Sequence, residues 1–263
     1  LTPFQAAILG LVQGLTEFLP VSSSGHLVLI QHVFGLGGAE NLTFDILLHV
    51  ATLVAVVVYF RRELALLVLC VFVDRKQRRL AACLLLAMVP TVVIALAIRR
   101  YIEQAFDSPT AVGFMLLTTG GILFVSPRVR QGKAPLEGVR LRHALAVGCA
   151  QGLAALPGLS RSGATICAGI LSGVASEAAA RFSFLLAVPA ILAAAALDIE
   201  QISALDAPQV LAAGAGMAVA FVVGLASIHW LLRVARKGRF DGFAYYCWAV
   251  GGVAVLVALL GAK

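Results

Sequence analysis

Charge is the scarcest commodity in this chain. Asp and Glu number 13 and Lys and Arg 20 in 263 residues, so charged side chains make up 13% of the sequence. Water-soluble domains run near ~25%. An ordinary soluble domain is therefore excluded. Cysteine is also sparse: Cys70, Cys83, Cys149, Cys167 and Cys247 are odd in number, scattered and mostly inside apolar runs. No disulfide or metal framework fits that pattern, and they read as small core residues. A positively charged leader is missing ahead of the first apolar stretch, so no cleaved signal peptide is expected.

What fills the chain instead is apolar. Hydrophobic residues are 61% of the sequence and the mean hydropathy is +0.99, which places the chain in a bilayer. The net charge of +7 does not point to a nucleic-acid partner, because the basic residues sit in short loops between apolar segments. In a membrane protein that distribution records topology.

Six segments are able to span, at roughly 45–60, 80–98, 110–126, 181–198, 208–232 and 243–261. The first is short, and its helix is expected to run on through Arg61 and Arg62 into the headgroups, with 64–73 an extension or interfacial piece. Four further apolar stretches, 4–15, 26–35, 143–154 and 164–175, are shorter still. Twelve helical residues rise ~18 Å against a hydrocarbon core of ~30 Å, so each is about half a crossing. They come in pairs split by the loops LPVSSSG (19–25) and PGLSRSG (157–163). Broken helices at membrane depth need protein or a wet cavity to satisfy their backbone. Two re-entrant hairpins fit better than two kinked spans.

Lys and Arg set the orientation. The loop at 61–79 holds six, 126–142 five and 233–242 four; the opposite side has Arg99, Arg100 and Lys263, and its 199–209 loop is acidic. The rich side is read as cytoplasmic, which puts both termini outside. The halves also resemble each other. Gln13, Gly14, Leu15, Ser22, Ser24 and Gly25 recur 138 residues later as Gln151, Gly152, Leu153, Ser160, Ser162 and Gly163. The expected architecture is an all-α polytopic membrane protein forming a single domain over 1–263, with about six transmembrane helices and two re-entrant hairpins. The first repeat covers 1–126 with its hairpin at 4–35. The second, inverted, covers 140–263 with its hairpin at 143–175. Such repeats bring their broken helices together near the midplane.

The residues capable of chemistry cluster in those two loops. Gln13 and Glu17 are i and i+4 on one helical face, and an acid inside a membrane segment costs ~2.5–3.5 kcal/mol on insertion scales. Glu17 reads as functional or as the partner of an Arg across the repeat. Arg161 is the only Lys or Arg between Arg142 and Arg181, and its fork suits a phosphate. Ser22, Ser24, Gly25, Ser160, Ser162, Gly163 and Thr165 surround two helix N-termini, which suits an anion. Asp45 and His49 form another i, i+4 pair, either a wet histidine or a layer behind a metal.

The motifs EFLPVSSSGH and PGLSRSGAT, in this order and at this separation, resemble those of the undecaprenyl-diphosphate phosphatase family of the bacitracin-resistance type. The likeness covers nearly the whole chain. It implies hydrolysis of undecaprenyl diphosphate to the monophosphate, recycling the lipid carrier of wall synthesis, with a divalent metal, Mg²⁺ or Ca²⁺. It further implies Gln13 and Glu17 as the acidic motif, with Gln a weaker ligand than the family's alternative Glu. The family's second motif falls on Pro20, Ser22, Ser23, Gly25 and His26, its third on Pro157 through Thr165. The other class of membrane lipid phosphatases also carries S-G-H and S-R, but the His–Asp pair it requires after its Arg does not follow Arg161.

The expected catalytic set is Glu17, Ser23, His26 and Arg161. Ser23 would be the nucleophile with His26 as its acid or base, or His26 itself would attack. Glu17 with Gln13 would hold the metal, and Arg161 with the loop serines would take the phosphates. The expected partners are a polyprenyl diphosphate and membrane lipids, with an oligomer compatible with the sequence. The expected location is a bacterial inner membrane, with the site facing the periplasm or exterior. The rival reading is a flippase or transporter that carries a polyprenyl phosphate through the same midplane site.

Overall fold

A computed structural model describes residues 1–36, 39–129, 132–197 and 207–261. Twelve α-helices run through them: α1 Pro3–Thr16, α2 Ser23–Val33, α3 Ala39–Tyr59, α4 Arg61–Cys70, α5 Arg75–Ala97 and α6 Arg99–Phe106, then α7 Pro109–Val129, α8 Leu141–Leu153, α9 Arg161–Ser172, α10 Ser176–Leu197, α11 Ala207–Lys237 and α12 Asp241–Gly261. Among the described residues the only β pairing is an isolated bridge between Ala134 and Val174. Among the described residues five helices are long and apolar enough to cross a membrane (α5, α7, α10, α11 and α12), or six when the bent pair α3–α4 is counted as one span. The chain is an all-α, multi-pass membrane protein.

The half-length helices start and stop on local signals. Thr2 caps α1: its Oγ1 accepts from the Gln5 backbone N–H (3.3 Å), Gln5 Oε1 accepts from Thr2 N–H (3.0 Å), and Pro3 opens the first turn. Such boxes satisfy donors that a helix start leaves over. α9 opens on Ser160, whose Oγ accepts from Gly163 N–H at 3.0 Å. It ends on Gly173 at φ +113°, a left-handed cap that favours glycine. Fourteen and twelve residues then rise ~21 and ~18 Å, short of a full crossing.

Two departures from expectation have physical causes. The first span does not run on through Arg61 and Arg62. It breaks at Phe60 and α4 leaves at 75°. Phe60 is buried at the bend, its ring 6.0 Å from that of Phe184 on α10, and a contact across elements leaves no local trace in the sequence. Arg181 on α10 then pairs with Glu63 of α4 at 3.1 Å and with Glu177 at 3.2 Å, holding α4 beside the basic loops. The stretch after α5 also forms a short helix, α6, braced by Arg99 and Glu103 at 2.7 Å. The acidic 199–209 loop and Lys263 fall almost wholly outside the described residues.

The hairpins are held by long helices from the opposite half of the sequence. α1 packs along α11, α8 along α5, and α7 along α12. In lipid the attraction between helices comes from close packing, so small residues line such crossings. A Cβ at Gly10 would stand 2.2 Å from the Gly216 carbonyl oxygen, and one at Gly148 2.2 Å from the Ala87 carbonyl oxygen. Gly10 and Gly148 are themselves 138 residues apart.

Gly10→Ala should therefore destabilise the protein by ~1–3 kcal/mol, since helix backbone must shift to admit the methyl. Gly214→Ala, where a Cβ meets nothing within 4 Å, should be neutral or slightly stabilising. Thermal melts of the purified variants in detergent read this; equal Tm values would mean that the crossing is not tight.

Candidate active site

The two loops meet between the short helices. A Cβ at Gly25 would come within 2.9 Å of Gly158 Cα, and one at Gly163 within 3.3 Å of Pro20 Cβ. Gly158 lies at φ +93°, where a side chain would be strained. Ser162 donates from Oγ to the Leu19 carbonyl at 3.0 Å, joining one loop to the other. Thr119 on α7 braces the second loop, accepting from Ser160 N–H (3.0 Å) and donating to the Gly158 carbonyl (3.0 Å).

At the junction stands Glu17, the residue that closes α1, its side chain only 3% exposed. It accepts from Arg161 Nη2 on one oxygen. On the other, Oε2, it accepts from Ser23 Oγ and from Gln13 Nε2, the latter at 3.1 Å. His49 Nε2 approaches Oε2 to 3.5 Å, while His49 Nδ1 donates to the Asp45 carbonyl at 2.8 Å. Asp45 in turn accepts from Gln31 Nε2 at 2.7 Å. The carboxylate is thus surrounded by donors, as a buried charge must be.

These groups form the polar end of a cavity of about 480 Å³. Glu17, Ser22, Ser23, Ser24, Ser160 and Arg161 line it together with Asp45 and His49. Its other walls are mostly apolar, with Met88, Val92 and Leu96 on α5, Phe106 on α6 and Ile191 on α10, interrupted by Thr91 and Gln151. Arg161 keeps 25% of its side chain exposed there, so the guanidinium is paired on one side and open on the other. α2 and α9 both begin at this end. Ser22 and Ser160 cap them, accepting from Gly25 N–H (3.3 Å) and Gly163 N–H (3.0 Å). The remaining first-turn N–H groups suit an anion.

Six of the expected residues line the cavity and six stand behind it. Gln13 is fully buried beside Glu17. Gly25 and Gly163 provide the close loop contact. Ser162 is committed to Leu19. Thr165 faces away from the phosphate end: it donates to the Arg161 carbonyl (2.7 Å) and lies 2.6 Å from Ser183 Oγ on α10. It shapes the Arg161 turn from below.

His26 departs most from expectation. Its ring does not line the cavity; Nδ1 lies 2.7 Å from the Ser22 carbonyl and Nε2 2.9 Å from Tyr246 Oη on α12. Ser23's hydroxyl is engaged by Glu17 instead. The cause is helical geometry. His26 is four residues past Ser22 and folds back on its carbonyl, whereas three residues past Ser23 it is turned ~60° around the helix, toward α12. Tyr246 and Thr119 went unread because a lone Tyr or Thr in an apolar span carries no pattern.

A divalent cation can be tested against the donors themselves. Gln13 Oε1 is buried with no hydrogen-bond partner, while Nε2 of the same amide donates to Glu17 Oε2 at 3.1 Å. One carboxylate and one amide oxygen are hard oxygen ligands of the kind Mg²⁺ takes from a protein when substrate phosphates supply more. The residues fit such an ion. Among the described residues no cluster of three or more His, Cys, Asp or Glu could hold a metal, so any site here draws on the amide and on substrate.

Residues 6–253 match the family model described as bacitracin resistance protein BacA. An undecaprenyl-diphosphatase of Syntrophotalea carbinolica is 43% identical over 252 residues, covering 94% of this chain and 96% of the relative. One of Carboxydothermus hydrogenoformans is 43% identical over 265 residues, covering 99% and 98%. One of Methanobrevibacter smithii is 37% identical over 263 residues, covering 94% of each. With the match spanning hairpins, spans and basic loops alike, this chain belongs to the bacitracin resistance protein BacA family.

Proposed function

We propose that the chain is a phosphatase that hydrolyses undecaprenyl diphosphate to the monophosphate and inorganic phosphate. The observation that carries this reading is the Ser23–Glu17–Arg161 cluster at the polar end of a cavity whose other walls are mostly apolar. A diphosphate suits the one end and a prenyl chain the other, and the cavity volume lies in the range of small-molecule sites.

In the proposed mechanism the diphosphate engages the open side of Arg161 and the N-termini of α2 and α9. Glu17 takes the Ser23 hydroxyl proton as Ser23 Oγ attacks the terminal phosphorus in line. The lipid monophosphate leaves as the P–O bond breaks and takes that proton from Glu17. Glu17, again a carboxylate, then accepts a proton from water as the water attacks the phosphoserine, and passes it to the departing Ser23 Oγ. Arg161 stabilises the charge on the equatorial oxygens throughout. A divalent metal, Mg²⁺ or Ca²⁺, would be held by Glu17 and Gln13, and when bound it neutralises charge on the diphosphate. Ser22, Ser24 and Ser160 face the phosphates from the loop tips, while Ser162, Gly25, Gly163 and Thr165 set the shape of those tips.

The halves 1–126 and 140–263 are read as inverted repeats. Support comes from the reciprocal packing of α1 on α11 and α8 on α5, and from reciprocal contacts of Gly25 with Gly158 and Gly163 with Pro20, which the 138-residue offset interchanges by matching Gly25 to Gly163 and Pro20 to Gly158. The basic loops are read as cytoplasmic in a bacterial inner membrane, which places the site toward the exterior.

Purified protein in detergent should release phosphate from undecaprenyl diphosphate, lose that activity to a chelator and regain it with Mg²⁺. Ser23→Ala should abolish turnover while substrate still binds. Trapped phosphoenzyme should be acid-stable and alkali-labile; an acid-labile adduct surviving Ser23→Ala would put the phosphate on histidine and overturn the assignment. Binding without any phosphate release by wild type would favour the carrier reading.

Arg161→Lys keeps the charge but loses the fork. It should lower kcat/KM by at least ~100-fold, which is roughly 2.7 kcal/mol. Near-wild-type kinetics in a folded Arg161→Lys would reduce the residue to a positional charge.

In a Cys-free variant, a cysteine at Gly238 should resist impermeant thiol reagents in intact cells, and one at Asp107 should label. The reverse pattern would invert the topology and turn the site inward.

A further inference from the structure

Ser22 is the one non-glycine residue with positive φ among the described residues, at φ 71° and ψ 95°. That conformation is costly for a side-chain-bearing residue and persists only when surroundings over-determine it. What surrounds it is clear. The Ser22 carbonyl accepts twice from His26, from the backbone N–H at 3.2 Å and from ring Nδ1 at 2.7 Å. Because a carbonyl only accepts, Nδ1 carries the proton. Nε2 of the neutral ring is then an acceptor, and Tyr246 Oη, 2.9 Å away, donates to it. The rings also stack, with centroids 5.5 Å apart and planes 7° from parallel. Next to Tyr246, Cys247 Sγ lies 3.8 Å from the Pro20 carbonyl. α12 thus grips the 20–22 turn from behind at two points.

Every hydrogen-bonding position of a neutral His26 is filled, and neither nitrogen is left to take a proton from Ser23. We infer that His26 and Tyr246 form a brace that holds the Ser22 peptide in its left-handed conformation and so aims Ser23 at Glu17. Tyr246 acts through His26, and both are positioning residues. This rests on the phosphatase reading, and adds to it a residue 223 positions from Ser23 that touches no substrate.

The test is phosphate release from undecaprenyl diphosphate by the full-length protein in detergent, from about pH 5 to about pH 9, with KM and kcat separated. Asparagine places an amide N–H close to where Nδ1–H lies but cannot shuttle a proton. His26→Ala should lose ~100-fold in kcat with KM little changed, and His26→Asn should recover most of that loss with the wild-type pH profile. Tyr246→Phe keeps the stacked ring and removes the donor. It should lower kcat by ~5-fold in the wild-type background and cost nothing further in His26→Asn, the non-additivity expected of residues acting as one unit. A folded His26→Asn as inactive as His26→Ala, or one that loses a limb of the pH profile, would make His26 an acid or base and overturn the brace. So would an unchanged kcat in Tyr246→Phe, which holds the test open even where a His26 variant fails to fold. Wild type that releases no phosphate would sink the phosphatase reading itself, and is told apart by that control.

Discussion

The constraint on which the structure turns is the pairing of Glu17 with Arg161 inside a bilayer. A single carboxylate or guanidinium at membrane depth costs several kcal/mol, and two unpaired ones would be worse. Here each removes the other's penalty, with Ser23 and Gln13 adding hydrogen bonds to the same carboxylate. The pair forms only if the tips of two broken helices, 144 residues apart in sequence, meet. Removing one partner would strand the other, so both loops are held in place by the cost of separating them.

Much of the surrounding packing follows from that meeting. Loops at membrane depth expose backbone groups, and each must find a partner within the protein. Ser22 and Ser160 cap the helices the loops lead into, Thr119 takes both an N–H and a carbonyl of the second loop, and Ser162 ties it to Leu19. Glycines let the loops approach to backbone contact. α11 and α5 clasp the hairpins from outside through small residues, because in lipid close packing replaces the hydrophobic effect. Serine-rich loops in this protein are first a solution to backbone desolvation: Ser22 and Ser160 cap helices even while they line the cavity with Ser23 and Ser24.

That division explains what could be read in advance. The half-length segments were legible because length against bilayer thickness is a hard limit, and α1, α2, α8 and α9 end within a few residues of the expected bounds. Glu17 and Arg161 were legible because charge in an apolar run is conspicuous. The α3–α4 bend was not, since Phe60 packing on Phe184 has no local signature. His26 was placed in the right turn but given the wrong neighbour. Spacing along a helix fixes the angle between side chains, yet what lies at that angle, here Tyr246, is decided by the fold. Ser162 and Thr165 were assigned to the ligand from their place in the motif beside a helix N-terminus, whereas in the structure both hydroxyls donate to backbone carbonyls.

The ion pair also bears on how the proposed chemistry would begin. In the empty protein Arg161 and Glu17 neutralise each other, and the guanidinium keeps one side open to the cavity. In the proposed mechanism that open side would take the phosphates of an incoming diphosphate. The Glu17 contact would meanwhile hold the guanidinium in place, so that its free edge faces the ligand without a search among rotamers. One contact would then serve twice: it makes two buried charges tolerable in the empty protein, and it aims the free edge of Arg161 at the phosphates.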